Sequence, residues 1–513
     1  MDLSLLLSPN NQEREASEKQ LEQFIKQDGN GAMKSLVETM VVCGDSAIRG
    51  LAAVLIRRFI IQRKIKWKEL SEETRGGVLE GFNHSLENER VGDVQKKVAD
   101  SAAEVYRSVK KSGAVEFISG LFEHGMMNAE ANVRFEALKS YVETFGSVST
   151  RMRKGMYGPM KIVGRVLGSL VEEESMLNES MTCLIEFIPK FSKATKMIYG
   201  ELYKFVVSLL GKEDVDDEVK QSGMEMIVTI AESIPEVIDK DEEFLRVVIP
   251  NVLKMFLSVE EGEEWYKSDS DDDLNDVGSF AESGLDRLAL SLDSNKMMVV
   301  LGEYLNGMFG SKVWQERYGG LMTIFSVAEG CHELMVERFE DVLKMVLVLI
   351  NDESARVRYA VGSVLGQLSS DFSEKAQGEY FGLIVEALIH LMSDKVDKVK
   401  GRGVEAMVNL LDGVEKKQVV NYSDRIMSVI FELIKINDYI KTACLDVIVS
   451  IAESLKEEFV KYYEIIPILY NLFDSVKIVE YKDKEVCGKI LNSISSIYNE
   501  CEGEGGKKGV NGS

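Results

Sequence analysis

Hydrogen-bond acceptors recur near the ends of predicted helices in the C-terminal half of the chain. In RVRYAVGSVLGQLSSDF (356–372), Asp371 follows an apolar stripe with helical spacing, at the carbonyl end where a helix disfavours negative charge. Glu329 stands 42 residues earlier, and the next two repeats offer Asn409 with Asp412 and then Glu453. Such a series can accept charge-assisted hydrogen bonds from the lysines of an extended peptide. The alternative is that these residues are solvated helix ends.

The residue types that catalysis or metal binding requires are scattered. The four histidines, His84, His124, His332 and His390, lie far apart, and no Walker-type phosphate loop occurs. The six cysteines form no CxxC pair, so we expect reduced thiols and neither a zinc site nor a disulfide framework. We therefore expect no enzymatic activity and no cofactor.

The elements that would position the acceptors are helices. Proline occurs only six times in 513 residues, and 45% of the residues are hydrophobic. Within 356–372 the apolar residues follow the spacing of one helix face. They are Val357, Ala360, Val361, Val364, Leu365 and Leu368. A stripe of this kind must pack against neighbouring helices.

Pairs of an apolar and a basic residue open predicted helices at regular intervals. They are Ile48-Arg49, Val133-Arg134, Val219-Lys220, Val357-Arg358, Val399-Lys400 and Ile440-Lys441. The last three are spaced by 42 and 41 residues, which is the length of a HEAT repeat. About eleven antiparallel helix pairs fit between Leu21 and Tyr498. The sequence predicts an all-α, right-handed superhelical solenoid of HEAT repeats.

An Asp or Asn stands six residues before the basic residue in four of these repeats. The pairs are Asn128/Arg134, Asp214/Lys220, Asp352/Arg358 and Asp394/Lys400. We expect these side chains to cap helix starts and to link adjacent repeats.

One segment interrupts the repeat. Residues 259–277 hold nine acids and one lysine, so repulsion predicts a mostly extended acidic loop. It is either a solvated insertion or an arm that contacts basic ligands. The predicted domains are therefore N-terminal repeats over 1–258, the insertion, and further repeats over 278–498. Residues 499–513 lose all periodicity and are expected to be disordered.

The formal net charge of −24 disfavours binding to nucleic acid or anionic lipid and favours basic partners, although solubility alone also accounts for it. The N-terminus, MDLSLLLSPNNQERE, has no basic region and only a short apolar run. No later stretch is apolar over the length that spans a membrane. We expect a soluble intracellular monomer.

Four segments also resemble a known family. VWQERYGGLMTIFSVAEGCHELM (313–335), RVRYAVGSVLGQLSSDF, AMVNLLDGVE and FVKYYEIIPIL (459–469) are similar to repeats of the importin-beta superfamily, in particular its karyopherin beta-3 (importin five) branch. A looser similarity runs through GLAAVLIRRFI (50–60) and KKVADSAAEV (96–105).

The resemblance implies a nuclear import receptor that shuttles between cytoplasm and nucleus. Lysine-rich cargo signals would bind middle inner helices, where Glu329, Asp371 and Asn409 fall on the family's lysine-binding positions. The GTP form of Ran would bind N-terminal helices near 49–60, 94–106 and 133–145 and release cargo. Ribosomal proteins and histones are plausible cargoes, and Phe-Gly nucleoporins would use apolar clefts between outer helices.

A second class of protein stays open. A HEAT-repeat scaffold, such as a phosphatase regulatory subunit, would share the repeat, because the repeat alone specifies no ligand. A scaffold of that kind would not need the series of helix-end acceptors or the acidic insertion. Family members also have about twice as many repeats as this chain.

Overall fold

The computed structural model describes residues 3–62, 64–109, 119–120, 122–212, 214–267, 277–475 and 481–502. These residues form helices and turns and contain no β-strand. Their helices divide between two compact units, residues 1–238 and 239–513, each of which is a stack of antiparallel helix pairs. The prediction of an all-α HEAT-repeat solenoid is confirmed.

The first unit begins with a single long helix and continues with five helix pairs. In chain order its α-helices are Asn11–Gln27, Gly29–Val42, Ser46–Ile61, Glu72–Asn88, Gly92–Val109, a helix described over 122–126, Ala131–Ser147, Thr150–Arg153, Val163–Gly168, Glu174–Phe187, Ser192–Leu210, Asp217–Ser233 and Pro235–Ile238. Short 3-10 helices are Ser4–Leu7, Trp67–Glu69, Lys154–Met156, Pro159–Ile162 and Ile188–Lys190.

The second unit contains six helix pairs. Its α-helices are Phe244–Met255, Glu263–Lys267, Val277–Ser291, Ser294–Phe309, Trp314–Val327, His332–Glu337, Phe339–Leu347, Ala355–Asp371, Ser373–Gln377, Phe381–Met392, Asp397–Leu411, Lys416–Val419, Ser423–Leu433, Asp438–Leu455, Ile465–Ser475 and Tyr481–Glu502. Two 3-10 helices are Phe256–Ser258 and Lys456–Tyr462. Of the residues described, no helix is both long and apolar enough to cross a membrane.

The apolar stripe of the helix Ala355–Asp371 forms part of the core. All six stripe residues are 0% exposed. The helix itself packs against the preceding and following second helices, Trp314–Val327 and Asp397–Leu411. Complete burial of this stripe is the main local source of stability, since each large aliphatic side chain contributes about 1.5–3 kcal/mol on burial.

Two turn aspartates, Asp352 and Asp394, link repeats by accepting hydrogen bonds from an arginine of the preceding repeat. Asp352 accepts from the Ser354 amide at 2.9 Å, and its carboxylate receives Arg317 of the preceding repeat at 2.6 Å. Arg358 in turn donates to Asp394 of the next repeat at 2.6 Å. These two predicted links are confirmed.

Where the basic residue is lysine, the link is different. Lys400 pairs with Asp397 in its own helix at 2.7 Å, and Lys220 lies 3.8 Å from Asp217. A lysine carries a single ammonium group, whereas the planar arginine donates to its own turn and to the neighbouring repeat at once. The prediction of a repeat-to-repeat link is therefore wrong for these two lysines.

Two expectations about the irregular segments need correction. The prediction of an extended acidic loop is wrong for residues 260–267, which contact later helices and include the helix Glu263–Lys267. The rest of that insertion, 268–276, lies outside the described residues. The last helix continues to Glu502, beyond the expected end of regular structure at 498, and the remaining tail also lies outside the described part.

Candidate functional site: an acidic groove

A groove of about 530 Å³ runs along the second helices of the first four pairs in the second unit. Its acidic residues are Glu282 and Asp286, one turn apart on Val277–Ser291, and Glu329, in the turn after Trp314–Val327. Spacing of four residues places two side chains on one helix face, which is why both carboxyls reach the same groove.

Aromatic and polar side chains form the walls between these acids. Tyr318 donates to Glu282 at 3.3 Å, and Phe325 and Tyr359 line the same cavity. Gln367, one turn before Asp371, also lines it and donates to the Asp371 carboxylate at 2.8 Å. The groove therefore combines carboxylates with apolar surface on which the methylene chain of a lysine can lie.

The acids of the groove act on one another electrostatically. Burial and then the negative charge of Glu329 raise the pKa of Asp286; Arg287 opposes this shift, and Asp371 adds to it. A raised carboxyl pKa means that ionisation is costly in this environment. A positive charge placed beside the carboxyl would reduce that cost.

The backbone at Asp371 is held by the preceding repeat. His332 Nε2 donates to the Asp371 carbonyl oxygen at 3.0 Å, and its ring stacks on Phe372 with centroids 4.7 Å apart. The half-buried Asp371 carboxylate is thus fixed in position beside the groove.

The structure brings together only part of the predicted series of acceptors. Glu329 lines the groove and Asp371 lies close enough to shift Asp286, but the groove walls do not include Asn409, Asp412 or Glu453. Asn409 uses its amide nitrogen to donate to the Gly366 carbonyl at 3.3 Å. The side chains of all three are exposed. Their role in binding an extended peptide stays a prediction.

Three groove residues were not singled out from the sequence. Glu282 and Asp286 lie one turn apart on the helix that follows the acidic insertion, and this i, i+4 pair of carboxyls was the available signal. Trp265 is 3% exposed and lines the groove, although it belongs to the insertion. Its position depends on contacts far away in sequence.

The segment 260–267, called the strap below, lies across two later second helices. Glu261 accepts from Ser354 Oγ at 2.9 Å and from the Ala355 amide at 3.3 Å, at the N-terminus of Ala355–Asp371. A carboxylate is favoured at that end of a helix. Burial and the hydrogen bond to Glu261 raise the pKa of Tyr266 to about 12.

The described helices form a stack of HEAT-type pairs with an acidic, aromatic groove, a fold class that is also found among known proteins to which the chain is similar. An Importin repeat family profile matches residues 212–299, and the profile of the Vacuolar 14 Fab1-binding region matches 315–412. The chain is 26% identical to importin subunit beta-3 of Saccharomyces cerevisiae, in an alignment spanning 96% of this chain and 50% of that protein. It is 25% identical to a probable importin-5 homolog of Dictyostelium discoideum, over 74% of this chain and 35% of the relative.

Solved structures show the same fold. The crystal structure of Kap121p superposes with a TM-score of 0.75 at 23% identity, covering 97% of this chain and 52% of that one. Kap121p bound to Pho4p gives a TM-score of 0.74 at 22% identity, covering 98% and 53% of the two chains. The chain is similar to members of the importin-beta superfamily, and the similar chains include its beta-3/importin-5 branch. It spans about half the length of the curated relatives it matches.

Proposed function

We propose that the chain forms the signal-binding part of a nuclear import receptor and that lysines of an extended cargo segment enter the acidic groove. The observation that carries the proposal is the groove lined by Glu282, Asp286 and Glu329, with Asp371 close by. Burial and then the negative charge of Glu329 raise the pKa of Asp286. Lysine suits this site because its long apolar stem can pack on aromatic walls while its ammonium reaches the acids. Solved complexes of the similar Kap121p with Pho4p and Ste12p are consistent with peptide or protein cargo.

Direct titration tests this proposal. Calorimetry would compare a lysine-rich decapeptide with a matched peptide in which every lysine is replaced by glutamine. The lysine peptide should bind and the glutamine peptide should not, because the charge-assisted hydrogen bonds are lost. Equal affinity for both peptides would contradict a cation-selective groove.

The second part of the proposal is that the GTP form of Ran binds N-terminal second helices and releases cargo. The candidate elements are Ser46–Ile61, Gly92–Val109 and Ala131–Ser147, which contain the helices that the family resemblance implies. A pull-down with Ran loaded with GTP or GDP tests it. Preferential capture of the GTP form, with loss of bound lysine peptide, supports a transport receptor. Peptide binding that ignores Ran in both states would favour a HEAT-repeat scaffold, for which the match over 315–412 is the supporting observation.

Phe-Gly segments of nucleoporins are the third proposed partner. A cleft of about 490 Å³ lies between the first helices Ser294–Phe309 and Phe339–Leu347, with Met298, Leu305 and Met345 in its lining. Val299 at its edge is 61% exposed. The change Val299→Asp should reduce capture on Phe-Gly beads and leave lysine-peptide affinity unchanged. A receptor that shuttles between cytoplasm and nucleus needs both Phe-Gly binding and cargo binding. Unchanged capture would remove this cleft from the proposal.

A further inference from the structure

The strap covers basic side chains that belong to the same helices as the acidic groove. Arg356 opens the helix Ala355–Asp371, and Lys398 and Arg402 lie one turn apart on the helix Asp397–Leu411. Arg356 and Lys398 are each only 7% exposed. Arg356 and Arg402 line the same cavity as Glu282, Asp286 and Glu329. Cations and carboxylates therefore share one groove.

The backbone of the strap accepts hydrogen bonds from two of these cations. Arg356 Nη2 donates to the Glu260 carbonyl at 2.9 Å, and Lys398 Nζ donates to the Trp265 carbonyl at 3.2 Å. Both acceptors are backbone carbonyl oxygens of the strap. The two contacts hold the strap at both of its ends.

The Trp265 ring lies over the same two cations. The Arg356 guanidinium carbon is 4.6 Å from the ring centroid and Lys398 Nζ is 5.2 Å away. Tyr359 meets the indole edge to face at 5.7 Å, and the guanidinium of Arg402 lies 4.6 Å above the Tyr359 ring. Cation–π contacts of this kind become stronger when water is excluded, as it is around this buried indole.

We propose that the strap sets the charge selectivity of the groove: Trp265 and the strap backbone sequester Arg356 and Lys398, which lowers the positive charge that the groove presents beside its carboxylates. This inference rests on the proposed lysine-binding function of the groove. Trp265 acts through the cations it covers, so it is a specificity-determining residue and need not touch the peptide lysines.

Displacing the strap should therefore weaken binding of a polycation. Each exposed cation near the carboxylates would repel an incoming ammonium through a screened Coulomb interaction. Each should lower the affinity for the ammonium by about threefold. Trp265→Ala should lower the affinity for the lysine-rich decapeptide by about tenfold at low salt. Trp67→Ala is a matched control, because Trp67 is also buried, at 8% exposure, and lies in the first unit.

A rescue experiment separates charge from wall contact. Adding Arg356→Gln and Lys398→Gln to the Trp265→Ala variant should restore most of the affinity for the lysine peptide, since the exposed cations are then gone. Failure of the rescue in a variant with native circular dichroism would overturn the proposal. Tighter binding by Trp265→Ala alone would also overturn it, because the strap would then be blocking the groove.

A second probe keeps this test independent of the proposed function. Fluorescein-labelled hexaglutamate should bind Trp265→Ala more tightly than the wild-type chain, because uncovered cations attract an anion. If the wild-type chain binds no lysine peptide, the import-signal proposal fails, while the hexaglutamate comparison still decides whether the strap covers the cations. Equal hexaglutamate binding by both proteins would refute the covering role.

Discussion

Replacing Asp286 by asparagine should weaken peptide binding without lowering the stability of the fold. The folded state raises the pKa of Asp286, mainly through burial and the charge of Glu329. Above that raised pKa the ionised carboxylate destabilises the fold, and this cost disappears as pH falls through it. At pH 7, Asp286→Asn should therefore leave the free energy of unfolding unchanged or raise it by on the order of 0.5 kcal/mol. The amide keeps the shape and removes the charge.

Binding of the lysine-rich decapeptide should weaken in the same variant. A hydrogen bond to a charged group contributes about 1.5–3 kcal/mol, so the loss should be roughly 10- to 150-fold in Kd. Calorimetry measures the affinity, and urea denaturation at pH 7 measures the stability. Glu432→Gln is the matched control, because Glu432 is an exposed acid near the end of the helix Ser423–Leu433 and outside the groove walls.

Two results would refute this reasoning. Unchanged peptide affinity in Asp286→Asn would show that lysines do not use the groove. A large fall in the free energy of unfolding, comparable to that of a core substitution, would show that the Asp286 carboxylate stabilises the fold. The physical account requires the weaker binding to occur in a protein that is at least as stable as the wild type.

Three further predictions concern pH, repeat linkage and salt. Lysine-peptide affinity should fall as pH is lowered into the acidic range, because Asp286 takes up its proton at a higher pH than an ordinary aspartate while lysine stays charged; a series of peptide titrations at decreasing pH measures this. Asp394→Ala should lower the free energy of unfolding by about 3–5 kcal/mol in urea, because Arg358, 5% exposed, loses its carboxylate partner. Raising salt should weaken the peptide complex of the wild type more than that of the double variant Glu329→Ala with Asp371→Ala, as measured by fluorescence anisotropy.

Each of these predictions has a contradicting outcome. A lysine-peptide affinity that does not change with pH would show that the charge of Asp286 does not contribute to binding. Asp397→Ala is the surface control for Asp394→Ala, since the partner of Asp397, Lys400, lies in the same helix. If both variants lowered the free energy of unfolding equally, the buried link would contribute no more than a surface ion pair. Identical salt dependence in wild type and double variant would mean that these two acids carry no ionic contact.

The stability that Asp394 contributes should depend on pH. Burial opposes its ionisation, but the hydrogen bonds from Arg358 and from the Val396 amide outweigh burial and lower its pKa. A lowered carboxyl pKa contributes stability that is present above the unfolded value and is lost as pH falls through the folded value. The link between these two repeats should therefore weaken only in acid.

The repeat architecture could be predicted from the sequence because it depends on local periodicity. The stripe from Val357 to Leu368 faces the core as its spacing requires, and Asp352 precedes Arg358 by six residues, which places the aspartate in the turn before the helix. Each of these signals is contained within a single repeat. Interactions within one or a few helical turns require a regular residue spacing, and that spacing can be recognised in the sequence.

The groove could be predicted only in part. Glu329 and Asp371 could be predicted because they occupy equivalent places in successive repeats. Asp286 lies on the helix that follows the insertion, where the regular repeat spacing is interrupted. The strap was misjudged because its composition alone favours solvation. The attraction that docks it comes from Arg356 and Lys398, and Lys398 contacts Trp265 across 133 residues of sequence.

The strap has a consequence for how this region folds. In a simple solenoid each repeat contacts only its neighbours, so one repeat can open while distant repeats stay closed. The contact between Trp265 and Lys398 closes a long loop, and its entropic cost is met only when the helices from Val277 to Leu411 are already in place. Opening any helix pair inside that loop releases the strap as well. Amide hydrogen exchange across these repeats should therefore be cooperative, as in a globular domain, even though the architecture is modular.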